Sequence, residues 1–167
     1  KGAITMQRAI IGVSTAALLV GLATGVALGR QSAETEVREM HEVYYQYFAD
    51  GQADLIADRI YHPNRMSFGA DGVTISAGRD DVEAGFRRAT ETLAAQGYDH
   101  SELPNPTICT PNPGTTIVSG MFRRYRRDGS VLEELGQTYI YGQTDDGWKI
   151  HATIAHGPET VVGCVEE

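Results

Sequence analysis

The chain has 167 residues, with 14 Lys and Arg against 22 Asp and Glu and a formal net charge of -8. That length suits one domain plus a short appendage, and an acidic balance of this size repels phosphate backbones, which excludes nucleic acid as an expected partner. The two cysteines, Cys109 and Cys164, fit no metal-ligand spacing and no CxxC motif, so no metal site is expected. In an oxidising compartment they are candidates for one disulfide; the other reading is two unrelated buried thiols.

The amino-terminal segment comes first. Ala9 to Gly29 is uncharged and mostly apolar over 21 residues, about 31 Å at helical rise and close to the hydrocarbon thickness of a bilayer. A secretory apolar core is usually shorter, although Ala27-Leu28-Gly29 before Arg30 would serve as a small-x-small cleavage site. Residues 1–30 are therefore expected to be a transmembrane anchor, or else a signal segment. The expected protein is single-pass in the membrane, touching lipid through residues 9–29, with its globular domain extracytoplasmic; cleavage would make it secreted or periplasmic. Ala17, Gly21, Gly25 and Gly29 recur every fourth residue, a small-residue face on which a transmembrane helix of another subunit could pack closely.

After a polar junction at Gln31 to Thr35, Val37, Met40, Tyr44, Tyr47 and Phe48 recur at helical spacing until Gly51. A second short helix is expected from Ala53 to about Tyr61, ended by Pro63. Arg65 to Ser76 reads as two short strands around Ala70-Asp71-Gly72. Asp80 with Glu83 resembles a capping box opening a third helix, whose apolar stripe is Val82, Phe86, Ala89 and Leu93 and whose end is Gly97. His100 to Gly114 carries four prolines, so a strand through Thr107-Ile108-Cys109 must be an edge or irregular one.

From Thr115 onward the pattern is strand throughout, with Asp128-Gly129 as the hairpin turn between the first two. Counting outward from that turn sets Arg124 opposite Glu133 and Arg123 opposite Glu134, which explains the basic FRRYRR run by cross-strand pairing. The same register puts Val118, Phe122, Leu135, Gln137, Tyr139 and Tyr141 on one face. Ile117, Met121 and Ile140 fall on the other; both faces are apolar enough to need cover.

The order of elements, with YYQYFADGQADLIADRIYHPN for the paired first helices, GVTISAGRDDVEAGF leading into the third and DDGWKIHATIAHG as the last strand, resembles the nuclear transport factor 2-like superfamily in its SnoaL-like branch. The resemblance covers roughly Glu34 to Gly157 and implies an α+β fold. Its form is a cone-shaped half-open barrel, three helices on a curved antiparallel sheet, with a pocket inside and commonly a homodimer through the outer sheet surface. The expected division is 31–160 for this domain and 161–167 for a C-terminal tail.

The superfamily includes ketosteroid isomerase, polyketide cyclases, dehydratases and many noncatalytic binding or assembly domains. Of the three groups that its isomerases use, the helix-one tyrosine aligns with Tyr45, while the carboxylate base falls near Gly69 and the strand acid near Gln137. Two of the three are missing. The first functional expectation is therefore a membrane-anchored, noncatalytic domain that binds a small apolar ligand or serves as accessory subunit of a membrane complex.

The alternative is an isomerase, cyclase or dehydratase with His62 or His156 as base, Tyr45 as hydrogen-bond donor and a pocket lined by Tyr61, Phe122, Gln137, Tyr139 and Tyr141. His151 and His156 stand five apart on one strand, a spacing that sends them to opposite faces unless a bulge intervenes. No GxSxG elbow, phosphate-binding loop or dinucleotide fingerprint occurs, so no cofactor is implied.

Overall fold

A computed structural model describes residues 16–164. Helix α1 (Ala16–Ala49) is unbroken over 34 residues and passes straight through the Gln31–Thr35 stretch expected to be a junction. Nothing there breaks a helix, and Ser32 donates to Glu36 one turn on at 2.8 Å. Ala33, Val37, His41, Tyr44 and Phe48 form its buried stripe, spaced three or four apart. Gly51, at φ +67, ends the helix: Gln52 N–H bonds back to Tyr47 O at 2.9 Å, a turn that a residue with a Cβ adopts at a cost.

Among the described residues no helix is long and apolar enough to cross a membrane. The expected span Ala9–Gly29 begins outside the described residues. The surroundings of Ala17, Gly21 and Gly25 on the small-residue face also fall outside the description, and Gly29 has nothing within 4 Å of where a Cβ would stand.

Helix α2 (Ala53–Leu55) continues as a π-helical turn, Ile56–Ile60, burying Ala53, Ile56, Ala57 and Ile60. The helix stops one residue short of Tyr61, which opens strand β1 (Tyr61–Gly69). Pro63 lies inside that strand rather than ending a helix. Lacking an N–H, it sits where pairing with the neighbouring strand lapses between Tyr61 and Met66. Strand β2 (Gly72–Ile75) returns antiparallel to β1.

Helix α3 (Arg79–Ala95) buries Val82, Phe86 and Leu93. The expected capping box does not form: Asp80 is already helical, Asp81 accepts the Ala77 N–H instead at 3.1 Å, and Glu83 pairs with Arg79 and Arg87 along the helix.

Strand β3 (Tyr98–Glu102), unforeseen in the sequence, and β4 (Thr107–Asn112) lie along one side of β5 (Thr115–Arg126), β3 against its C-terminal half and β4 against its N-terminal half. With β6 (Val131–Thr144) and β7 (Gly147–His156) the sheet order is β2-β1-β7-β6-β5-β3, β4 joining on β5. The sheet is not wholly antiparallel, because β1 and β7 run parallel.

In the β5–β6 hairpin Arg123 faces Glu134 and Arg124 faces Glu133, each as an ion pair. The turn itself differs from a two-residue loop. Arg126 N–H bonds to Ser130 O at 2.8 Å around Arg127-Asp128-Gly129, Gly129 takes φ +83, and a bulge beside Tyr125 restores the register.

The C-terminal segment is not free of the domain. Val162 N–H bonds to the buried Ser119 hydroxyl at 2.9 Å, and Cys164 forms a disulfide with Cys109 of β4, 55 residues away. By chain entropy a loop of that length adds about 4 kcal/mol of stability. Cys164→Ser is therefore expected to lower the urea midpoint of the protein, and reductant should no longer affect it. Equal midpoints for the variant and the oxidised parent would rule out a stabilising crosslink.

On β6, a Cβ at Gly136 would collide with the His156 ring and with the Gly157 carbonyl. Since backbone cannot step aside cheaply, Gly136→Ala should cost about 1–3 kcal/mol. At Gly142 a Cβ would meet only the His151 ring, at 2.8 Å. Gly142→Ala should cost less in the same denaturation series, because a ring can swing.

Candidate functional site

The three helices cover one face of the curved sheet, and between them remains a cavity of about 160 Å³. Helix α1 contributes Tyr44, Tyr45 and Phe48; α3 contributes Phe86 and Ala89; β1 contributes Tyr61 and Arg65. The remaining wall comes from Ser101 of β3, Phe122 and Arg124 of β5, Gln137 and Tyr139 of β6, and Thr153 of β7. Strand alternation selects these residues: Phe122 and Arg124 share a face of β5, as do Gln137 and Tyr139 on β6.

The wall is aromatic, and Tyr44 meets rings from three other elements edge-on. Tyr44 stands 5.5 Å from Tyr61, 6.1 Å from Phe86 and 6.1 Å from Tyr139, centroid to centroid, each pair at 70° or more. The Tyr45 and Tyr139 hydroxyls face each other at 3.3 Å. Burial pushes the Tyr45 phenol above its usual range, and Tyr44, Tyr61 and Tyr139 move the same way for the same reason. These hydroxyls are hydrogen-bonding groups near neutral pH, not bases.

Two guanidiniums enter this aromatic wall. Arg65 lies 4.7 Å from the Tyr61 ring centroid and 5.0 Å from that of Phe86. Arg124 lies 5.1 Å from Phe122 and pairs with Glu133. A groove of about 550 Å³ adjoins the cavity, sharing Tyr45 and Ser101 with it, and its rim carries Glu42, His100 and Glu102.

Of the residues expected in the pocket from the sequence, Tyr61, Phe122, Gln137 and Tyr139 line the cavity, and Tyr45 does too. Tyr141 does not. It is fully buried, its hydroxyl 2.6 Å from Nδ1 of His41. His62 and His156 also lie elsewhere. His62 is on the outer side of the sheet with its ring stacked on His151 at 4.3 Å. His156 bonds through Nε2 to Thr138 at 2.9 Å, on the side of β6 opposite Gln137 and Tyr139.

The expectation that His151 and His156 face opposite ways is also corrected. His151 is the extra residue of a bulge in β7, which brings both rings to the outer face against Gly142 and Gly136.

The guanidiniums escaped notice in the sequence. Arg124 has the same parity as Phe122, so alternation places it in the cavity even though its pair with Glu133 gave it a sufficient role. Arg65 has the same parity as Tyr61 on β1, a signal hidden when a helix is expected to run to Tyr61. His41, silent in the sequence, sits 4.7 Å from both Tyr45 and Tyr139.

Comparison with solved structures places this architecture among NTF2-like proteins with a cystatin-like fold. An NTF2-like protein from Novosphingobium aromaticivorans matches at TM-score 0.65 and 17% identity over 82% of this chain and 88% of that one. A nuclear transport factor 2 superfamily protein from Salmonella enterica matches at TM-score 0.58 and 15% identity, covering 78% and 94%. Aln2 from a Streptomyces species matches at TM-score 0.61 and 14% identity, covering 74% and 88%.

At these identities the likeness is one of fold. Sequence then narrows the class: the family model described as NTF2-like protein (DUF6841) matches residues 33–158, and the chain belongs to that family. A search of curated proteins finds no match.

Burial lowers the His41 pKa to about 3 from 6.5, so the folded protein keeps this ring neutral. Above pH 6.5 it is neutral in both states and has no effect. Below that, the unfolded chain takes up a proton that the folded one refuses, and stability falls until about pH 3. Between pH 7 and pH 5 the parent should lose about 2 kcal/mol more than His41→Gln, at about 1.4 kcal/mol per pH unit. Urea titrations of both proteins at the two pH values check this; parallel losses would contradict it.

Proposed function

We propose that this domain binds a small, largely apolar organic molecule in the cone cavity without transforming it. The observation that carries the reading is the make-up of the wall: among the described residues that line it there is no carboxylate and no imidazole, and its phenols are driven away from ionisation at neutral pH. Proton abstraction needs a base within hydrogen-bond reach of the substrate. His62 and His156, the bases of the isomerase, cyclase or dehydratase alternative, face away from the cavity.

A benzene-sized body fits. About 150 Å³ of apolar space holds benzene in other proteins, against about 160 Å³ here. Ala89 lines the cavity from α3, so Ala89→Phe should fill it and abolish ligand binding measured by calorimetry, with the circular dichroism spectrum preserved. Turnover of an enone or polyketide-like substrate that disappears in Tyr45→Phe would replace this reading with the catalytic one.

We further propose that residues 9–29 tether the domain to a membrane, domain outward, where it serves as accessory subunit of a membrane complex. The length and apolarity of that stretch support the tether. The disulfide between Cys109 and Cys164 fits an oxidising compartment. The exposed outer-face residues Met66, Val73 and Ile75 fit a homodimer through the sheet. Intact mass of the protein taken from a membrane fraction, with what co-purifies, tests all three; recovery wholly in the soluble fraction without residues 1–29 would remove the tether.

A further inference from the structure

The cavity holds a charge that the protein itself does not balance. Among the described residues Arg65 makes no ion pair, its Nε is buried without a hydrogen-bond partner, and its guanidinium lies over the adjoining rings of Tyr61 and Phe86. The second guanidinium of the wall, Arg124, has Glu133 for counter-ion, and its Nε too is buried and unpartnered. Arg65 is half-buried, and a charge drawn partly out of water carries a cost that an opposite charge would offset. Two ring faces offset only part of that cost. An anion from outside would supply the partner that the protein does not.

We infer that the ligand is a monocarboxylate on a ring-sized apolar body, its carboxylate held by Arg65 with the Arg124 Nε–H alongside. This rests on the cavity being a ligand site, as proposed above. The planar fork of a guanidinium matches a carboxylate, and a charge-assisted pair of this kind is strengthened where water is scarce. The volume admits one ring and little more. The charge count selects a monoanion: one guanidinium lacks a partner, and Glu42 and Glu102 on the rim of the adjoining groove repel a ligand carrying two or more negative charges.

Calorimetry with benzoate, benzamide and inorganic phosphate tests the inference. The parent should bind benzoate at least 10-fold more tightly than benzamide and should not bind phosphate. Arg65→Gln should bring the two ring compounds within about 2-fold of each other, and Arg65→Lys should keep part of the preference. Arg65→Met should also raise the melting temperature of the ligand-free protein, because it removes an unbalanced charge, and benzoate should no longer raise it further.

Equal affinity of the parent for benzoate and benzamide would overturn the carboxylate while leaving the cavity a ligand site. Binding of phosphate as tight as benzoate would overturn the ring-bearing monocarboxylate in favour of a general anion site. If neither ring compound binds, with Ala89→Phe indistinguishable from the parent, the cavity reading fails along with this one.

Discussion

The position of Tyr44 governs this fold. Its ring lies within edge-to-face or tilted range of Tyr45 and Phe48 on its own helix, Tyr61 on β1, Phe86 on α3 and Tyr139 on β6. One side chain thereby joins elements that are distant in sequence. Edge-to-face contacts hold rings at wide angles, so this cluster cannot collapse into a parallel stack. The space left where the rings diverge is the cavity. Packing and site are in this sense one arrangement, and Phe48 and Phe86 serve as core and as wall at once.

The parallel pairing of β1 with β7 follows from the same closure. After α2 and its π turn the chain must return beneath α3, and β1 enters between the last strand and its own neighbour in sequence, β2. Tyr61 and Ile150, both buried, meet at the start of that pairing. The pairing lapses over the proline, then resumes from Met66 to Phe68. Of the two β1 residues that line the cavity, Tyr61 opens the lapse and Arg65 lies within it.

How much of this was legible in the sequence depended on how local the cause was. Helix periodicity located α1 and α3, and alternation around one Asp-Gly turn found the β5–β6 register, including both Arg-Glu pairs and the inward face of Phe122, Gln137 and Tyr139. The bulge at His151 shifts parity, is imposed by the neighbouring strand and leaves no local mark. Arg65 keeps the parity of Tyr61, four residues before it on β1, but a helix read through Tyr61 hides that alternation. Tyr141 had the right parity for the cavity, but it is fully buried outside the lining, with its hydroxyl against His41, one turn of α1 before Tyr44 and Tyr45.

The crosslinked C-terminal segment also divides the back of the sheet. Val162 rests on Ser119, Gly163 crowds Thr107, and Cys164 is tied to β4, so the β4–β5 end of that surface is roofed by the chain itself. The other end, with Met66 on β1 and Val73 and Ile75 on β2, has no such roof among the described residues. Any protein surface that settles on this sheet therefore meets a stage with a fixed wing: it has β2, β1 and β7 to land on, and its footprint is bounded on one side by the short stretch of chain that follows the last strand.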